Sequence, residues 1–266
     1  MIFEGMKDGR FKKGDLVINY VIGGEGPPLL LLHGFPQTLA MWGFIAPFLI
    51  SNYTVIASDL RGYGGSFKPK CLPDFSNYSF RAMAQDQLAL MDHLGFEEFH
   101  IVGHDRGART AHRLTLDTPS RVLSLCLLDI VPTYAMIMNT NYHVAKAYWH
   151  WYFLAQPQPL PEHIISLDPD FFYESCLVGW GKVPIHEFHE EQIQQYRKAW
   201  RDKDFIHATC SDYRAALSVD VKDDEVDLNF KIKTPSLVFW GTKGLMHQLF
   251  DMKAEWKKRL ENPSYA

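Results

Sequence analysis

Short apolar runs alternate with longer amphipathic segments along the first half of the chain and again near its end. The short runs are rich in Leu, Ile and Val, and they predict strands at residues 16–22, 28–32, 53–58, 99–102, 122–128 and 236–240. The longer segments predict helices at residues 38–49, 79–94, 106–117 and 245–260. Strands that alternate with helices in this way are typical of an α/β fold with a mostly parallel sheet flanked by helices.

The alternation stops between residues 131 and 220, where the sequence becomes helical and aromatic. The densest aromatic stretch is YWHWYF at 148–153. We therefore predict a core formed by 1–130 and 221–266, with a helical cap at 131–220 inserted into it. A cap over the carboxyl edge of a parallel sheet encloses the region where such folds bind ligands. The acidic residues 223–225 fall where the cap returns to the core, and we expect a solvated linker there.

Composition narrows the classes of partner. The 266 residues are 47% hydrophobic, 14% aromatic and 22% charged, with a net charge of -4, as in ordinary globular proteins. The small negative charge disfavours nucleic acid, and the apolar runs are too short to cross a membrane. Charged residues interrupt the stretch 1–11, so we expect no secretory signal and a cytoplasmic protein. The four cysteines are widely scattered, and we expect them to be reduced and structural.

The segment from Gly103 to Gly107 carries the clearest chemical signal. It reads Gly-His-Asp-Arg-Gly and lies between a predicted strand and a predicted helix. This arrangement is a nucleophile elbow, in which small residues flank a side chain held on a strained strand-to-helix turn. Asp105 occupies the nucleophile position. Within the elbow, the backbone N–H of Arg106 is expected to supply one donor of an oxyanion hole.

A second loop supports this interpretation. His33-Gly34-Phe35-Pro36 follows the strand at 28–32, and the backbone N–H of Phe35 is expected to supply the second oxyanion donor. His33 itself is expected to stabilise the loop. An Asp nucleophile is ionised near neutral pH and suits attack on saturated carbon, so the natural electrophiles are alkyl halides and epoxides.

Over nearly its whole length the chain resembles the fluoroacetate dehalogenases, a family with the α/β-hydrolase fold and a helical cap inserted after the sixth strand. The matching stretches are residues 33–37, 59–64, 103–110, 128–133, 148–153 and 210–215. The resemblance implies hydrolysis of fluoroacetate, and of chloroacetate too, to glycolate and halide through an ester on Asp105. It implies no metal or organic cofactor, a small haloacid substrate and a homodimer.

The resemblance also implies roles for particular residues. Arg106 and Arg109 lie three apart on one helical face, and they would bind the substrate carboxylate. Asp129 follows a predicted strand and would orient the histidine base; no carboxylate occupies the alternative position, in the stretch 241–247. The family's halide-binding positions correspond to His150, Trp151 and Tyr213, each of which offers an N–H or O–H donor.

The family places its histidine base on a loop after one further strand, and the sequence ends at Ala266 as it enters that strand. We therefore expect the protein to continue beyond this point. His104 is expected to point away from Asp105, and His247 to be structural. Three alternatives remain open: an epoxide hydrolase, a haloalkane dehalogenase, or a catalytically silent ligand-binding protein. The arginine pair disfavours the first, and Arg106 stands where haloalkane dehalogenases commonly carry Trp.

Overall fold

The sheet has eight strands, and all but two neighbouring pairs run parallel. We describe a computed structural model that covers residues 2–181 and 183–266. The strand order is β1-β2-β4-β3-β5-β6-β7-β8, and β1–β2 and β2–β4 are the antiparallel pairs. The strands are β1 Lys7–Lys13, β2 Leu16–Gly23, β3 Pro28–Leu32, β4 Thr54–Ser58, β5 Phe99–His104, β6 Val122–Leu128, β7 Ser236–Phe239 and β8 Ser264–Tyr265.

Helices connect the strands and fill the long interval between β6 and β7. The α-helices are α1 Ala46–Leu49, α2 Phe80–His93, α3 Arg106–Asp117, α4 Thr133–Met138, α5 Tyr142–Ala147, α6 Trp149–Leu154, α7 Leu160–Leu167, α8 Pro169–Gly181, α9 Glu190–Trp200, α10 Lys203–Ala215, α11 Val221–Val226, α12 Leu245–Leu249 and α13 Met252–Lys257. The predicted mostly parallel sheet flanked by helices is therefore confirmed. The boundaries of the cap at 131 and 220 remain a prediction.

The centre of the sheet is buried on both faces. In β3, Leu30 and Leu32 pack into one hydrophobic cluster, while Leu29 and Leu31 pack into another on the opposite face. Side chains alternate between the faces of a strand, so a continuous run of leucines fits only a strand covered on both sides. The second cluster includes Trp42.

The carboxyl ends of β3, β5 and β6 lie side by side, because these strands are parallel neighbours. Leu32 pairs with Gly103, and His104 pairs with Leu128. The residues that follow each strand therefore meet at one edge of the sheet. This register brings together the Phe35 loop, Asp105 and Asp129.

Two predicted helices were wrong as continuous elements. Residues 38–49 form a 3₁₀ helix at Leu39–Trp42 and the short α1, which carries Pro47 in its first turn. Residues 245–260 divide into α12 and α13 because Phe250 is extended and Asp251 caps the second helix.

The expected solvated linker at 223–225 was also wrong. Asp223 and Asp224 lie in α11, where Asp223 pairs with Arg81 at 2.8 Å and buried Asp224 pairs with Arg259. Buried carboxylates need such partners, and here the ion pairs tie α11 to the core.

The edge strand β1 was not predicted; apart from Phe11 it is polar and largely exposed.

All four cysteines are free, as expected from their scatter. Among residues 2–181 and 183–266, no helix is long and apolar enough to cross a membrane.

The elbow tolerates no side chain at its second glycine. A methyl group at Gly107 would overlap the backbone oxygens of Leu32 and His33 at the end of β3. Gly179 in α8 is exposed, and a methyl group there meets nothing within 4 Å.

We predict that Gly107→Ala lowers the free energy of unfolding by about 1–3 kcal/mol, since the overlap forces β3 and α3 apart. The control Gly179→Ala should raise it by about 0.5–1 kcal/mol, because Gly is unfavourable in helices. Urea unfolding followed by circular dichroism measures both. Equal midpoints for Gly107→Ala and the unsubstituted protein would show that the contact is not tight.

Candidate active site

Asp105 stands on the sharp turn between β5 and α3. Its backbone has φ 48° and ψ -113°, a strained conformation for a residue with a side chain. Surrounding contacts hold this turn: the Asp105 N–H donates to Leu128 O at 3.4 Å, and the Arg109 N–H donates to Asp105 O at 3.1 Å. The turn presents the carboxylate at the carboxyl edge of the sheet.

The Phe35 loop reaches the Asp105 carboxylate directly. The backbone N–H of Phe35 donates to Asp105 Oδ1 at 2.8 Å. No other hydrogen bond to this carboxylate is formed within the described part of the chain. One oxygen is therefore engaged by a backbone donor while Oδ2 remains available for reaction.

Two arginines and a histidine interact electrostatically with Asp105. Burial by itself would raise the pKa of this carboxyl group, but His104, Arg106 and Arg109 nearby outweigh burial and lower the pKa below its usual value. The Asp105 side chain is consequently a carboxylate at neutral pH, as expected from the sequence.

The guanidinium of Arg109 is buried and bonded only to neutral acceptors. Its Nη1 donates to Val131 O at 3.0 Å and to Thr133 Oγ1 at 3.1 Å. Its Nε and Nη2 have no hydrogen-bond partner among the described residues. Burial lowers the pKa of Arg109 to about 10, with Asp105 opposing this decrease, so the group is still cationic at neutral pH.

Arg106 has a carboxylate partner of its own. Its Nε donates to Asp212 Oδ2 at 2.9 Å, and its Nη2 donates to Asp212 Oδ1 and to the Asp212 backbone oxygen. Its Nη1 has no partner within the described residues. The guanidinium lies over the rings of Phe80 and Tyr213, with its carbon 4.5 and 4.3 Å from their centroids.

The three candidate halide-binding residues form one aromatic cluster. The rings of His150 and Trp151 lie 5.4 and 5.3 Å from the ring of Tyr213, all centroid to centroid. The hydroxyl of Tyr213 is buried and has no partner among the described residues. Because α6 packs against α10, residues about sixty positions apart in the sequence share this cluster.

Burial fixes the protonation states of two members of this cluster. It lowers the pKa of His150 to about 3 and raises the pKa of Tyr213 well above its usual value. At neutral pH, His150 is therefore a neutral imidazole and Tyr213 a neutral phenol. Both can donate a hydrogen bond without adding charge.

A cavity of about 60 Å³ joins these groups. The side chains that line it are Phe35, His104, Asp105, Asp129, Tyr148, His150, Tyr213 and Met246. A cavity this small admits only a ligand of a few non-hydrogen atoms. The lining residues do not include Trp151, Arg106 or Arg109, and Arg109 Cζ lies 4.8 Å from the Trp151 ring centroid.

His104 and Asp105 both line this cavity, and the expectation that the His104 side chain points away from Asp105 stays a prediction. Gly34 packs tightly against this turn, since a methyl group there would overlap the Asp105 side chain and lie 3.0 Å from the His104 backbone oxygen. The other two histidines are placed as expected. His33 bonds to Gly34 O through Nδ1 and to the Leu60 N–H through Nε2, and His247 accepts from the Trp240 indole at 3.0 Å.

Asp129 lies at the end of β6, where its N–H donates to Phe239 O at 2.8 Å. Its backbone φ is 55° and its carboxyl group lines the cavity. Burial raises its pKa. Sequence reasoning gave no role to Asp212, Tyr148 or Met246, although Asp212 falls in a stretch matched to the family.

Comparisons with known proteins agree with this geometry. Residues 27–265 match the family model for the alpha/beta hydrolase fold. A crystal structure from Nostoc sp PCC 7120, assigned to the alpha/beta hydrolases, has 47% sequence identity and a TM-score of 0.97, covering 99% of this chain and 90% of that one. The chain belongs to the α/β hydrolase fold family.

Within that family, the chain is similar to a fluoroacetate dehalogenase and to a soluble epoxide hydrolase. It is 56% identical over 265 residues to a fluoroacetate dehalogenase from Burkholderia sp, covering 100% of this chain and 87% of that protein. It is 30% identical over 248 residues to a soluble epoxide hydrolase from Corynebacterium sp. (strain C12), covering 92% of this chain and 83% of that protein.

We predict that Arg109→Gln raises the pKa of Asp105, because the variant removes a positive charge that favours the carboxylate. At a given acidic pH a larger fraction of Asp105 would then be protonated. Carbon-13 NMR titration of the Asp105 carboxyl group measures this change. Arg113→Gln is the matched control, since Arg113 lies on the same helix but pairs with Asp117 and Asp227. An unchanged titration of Asp105 in Arg109→Gln would contradict the prediction.

Proposed function

We propose that this protein is a hydrolytic dehalogenase that converts fluoroacetate, and chloroacetate as well, to glycolate and halide. The observation that carries the proposal is the set of unused arginine donors beside a carboxylate nucleophile. The Nε and Nη2 of Arg109 and the Nη1 of Arg106 are buried without partners among the described residues, and both arginines interact electrostatically with Asp105. The 56% identity to a fluoroacetate dehalogenase supports the same conclusion.

The unused donors match a substrate carboxylate. The Nε–Nη2 edge of an arginine forms two parallel hydrogen bonds with a carboxylate, and Arg109 has this edge available. Arg109 also retains its net charge, because its hydrogen-bond partners are neutral. Because Arg109 is close enough to Asp105 to lower the pKa of Asp105, a haloacetate held there would lie near the nucleophile.

The first chemical step is an in-line displacement. Asp105 Oδ2 attacks the α-carbon, the carbon–halogen bond breaks, and the halide leaves with the bonding electron pair. The product is the carboxymethyl ester of Asp105, in which the former α-carbon is bonded to Oδ2. His150, Trp151 and Tyr213 would donate hydrogen bonds to the halide as its charge develops, which matters most for fluoride, a poor leaving group.

The second step is hydrolysis of the ester. Water attacks Cγ of Asp105, and the backbone N–H groups of Phe35 and Arg106 would stabilise the resulting oxyanion. The Phe35 N–H already donates to Asp105 Oδ1. Collapse of this intermediate releases glycolate and restores the carboxylate. In the family, a histidine base removes a proton from this water, and Asp129 lies where the acid that orients that histidine is expected.

Epoxide hydrolysis is less well supported. The epoxide hydrolase relative from Corynebacterium has 30% identity, compared with 56% for the fluoroacetate dehalogenase. An epoxide has no carboxylate, so it would leave the buried donors of Arg109 unbonded, at a cost in binding. The same argument disfavours a simple haloalkane. A silent binding protein would not need an ionised carboxylate on a strained elbow.

We also propose that the protein acts as a cytoplasmic homodimer, in keeping with its resemblance to the dehalogenase family. Light scattering coupled to size-exclusion chromatography would give the mass of the particle, and cell fractionation would give its location. A monomeric mass at micromolar concentration would contradict the dimer.

We predict that the protein releases halide from fluoroacetate and chloroacetate in preference to a haloalkane or an epoxide of similar size. The reason is that the carboxylate satisfies the buried arginine donors. Halide-selective electrodes and product chromatography measure the four reactions. Exclusive turnover of the epoxide would overturn the proposed function.

We predict that Asp105→Asn lowers first-turnover halide release by about 10³-fold or more, because the amide is a poor nucleophile. Mass spectrometry should find an added carboxymethyl group on the Asp105 peptide after rapid quenching of the unsubstituted protein with fluoroacetate. The group should be missing in Asp105→Asn. Arg109→Ala should instead mainly raise the substrate concentration needed for half-maximal rate. Asp74→Asn, at an exposed position, is the control.

A further inference from the structure

A buried polar cluster stands behind the candidate site and involves a residue without an assigned role. Asp212 of α10 is fully buried and accepts from Arg106 Nε at 2.9 Å, from Arg106 Nη2, and from the hydroxyl of Tyr63 at 2.7 Å. Tyr63 is itself fully buried. The cluster joins α3, α10 and the loop after β4.

This pairing uses one edge of the Arg106 guanidinium completely. An arginine has five N–H donors, one on Nε and two on each terminal nitrogen. Asp212 accepts from Nε and from Nη2, through both its carboxylate and its backbone oxygen. The two N–H groups on Nη1 are left without a partner among the described residues. The rings of Phe80 and Tyr213 restrict the guanidinium further.

The two arginines therefore differ in charge balance. Asp212 neutralises Arg106, whereas no carboxylate forms an ion pair with Arg109 within the described part of the chain. A second anion, Asp105, interacts with both arginines. Without Asp212, the Nε and Nη2 donors of Arg106 could turn to Asp105 and hydrogen-bond to the oxygen that must attack the substrate.

We infer that Asp212, held by the Tyr63 hydroxyl, is a positioning residue that keeps the Arg106 guanidinium directed at the substrate carboxylate and away from Asp105. This inference rests on the proposed dehalogenase function. Asp212 acts through Arg106 and takes no part in bond making or breaking. Its effect should therefore depend on whether the substrate carries a carboxylate.

The test compares chloroacetate with chloroacetamide, which has the same carbon–chlorine bond but no charge. First-turnover halide release is measured over a range of concentrations, giving a half-saturating concentration and a limiting rate for each substrate. For Asp212→Asn we expect the half-saturating concentration of chloroacetate to rise by about tenfold or more, as for loss of a buried charge partner. With chloroacetamide we expect a change of less than about threefold in that concentration, since no carboxylate must be matched.

Tyr63→Phe tests the same arrangement with a smaller structural change. It removes one hydrogen bond from Asp212 and leaves the ion pair, so we expect a rise of about two- to fivefold for chloroacetate only. This variant decides the question if Asp212→Asn does not fold. Glu162→Gln is the matched control, because Glu162 forms the 2.6 Å ion pair with Arg214 on the same helix α10, outside the residues that line the cavity.

The outcomes separate the two proposals. If the unsubstituted protein releases no halide from chloroacetate or fluoroacetate, the proposed function is wrong. If it does release halide and folded Asp212→Asn keeps the original half-saturating concentration for chloroacetate, the positioning role is wrong while the function stands. Equal losses with chloroacetate and chloroacetamide would also overturn the positioning role, because they would indicate general damage to the site.

Discussion

The ionisation of Asp105 beside a small cavity is the constraint on which the surrounding structure depends. Burial opposes the charged form of a carboxyl group, and interactions with nearby basic side chains reverse this effect. Two of those groups are buried arginines, which in turn need partners of their own. Asp212 serves Arg106, and the backbone of Val131 with Thr133 serves Arg109. The charge of Asp105 thus requires arginines on α3, and these arginines in turn require hydrogen-bond partners on α10 and after β6.

The two arginines have different partners, and they serve different purposes. The partner of Arg106 fixes the direction of its guanidinium, whereas the partners of Arg109 leave its charge available to bind an anion. A bidentate carboxylate partner fixes a planar guanidinium in direction but also cancels its charge. Neutral partners fix Arg109 less strongly and leave its charge in place, so it remains attractive to an incoming anion. A lysine at either position could not reproduce this division, because an ammonium group has no fork with separate edges. The proposed selectivity for a carboxylated substrate follows from this asymmetry.

The sequence predicted the centre of the fold better than its margins. The strand β5, the helix α3 and the elbow between them carry local signals, because a short strand with alternating buried residues, two glycines and a helical pattern follow one another there. The break before Asp251 depends on a capping interaction that periodicity does not reveal. The strand β1 was missed because an edge strand rich in charge lacks an apolar pattern. Asp212 could be matched to a family stretch, but its pairing with Arg106 is a contact between residues 106 positions apart, which no local pattern encodes.

The neutral state of His150 and Tyr213 distinguishes the aromatic cluster from the arginine side of the proposed site. A haloacetate has two ends that could each seek a positive group, its carboxylate and the departing halide. The net cation in the proposed site is Arg109, whereas His150 and Tyr213 offer uncharged donors. The carboxylate, which is fully charged before reaction, should therefore occupy the arginine side, leaving the halogen to face the neutral donors. This placement of the two ends of the substrate would direct the α-carbon toward Asp105. The neutral donors His150 and Tyr213 would then interact most strongly with the halide in the transition state, when the halide acquires its charge.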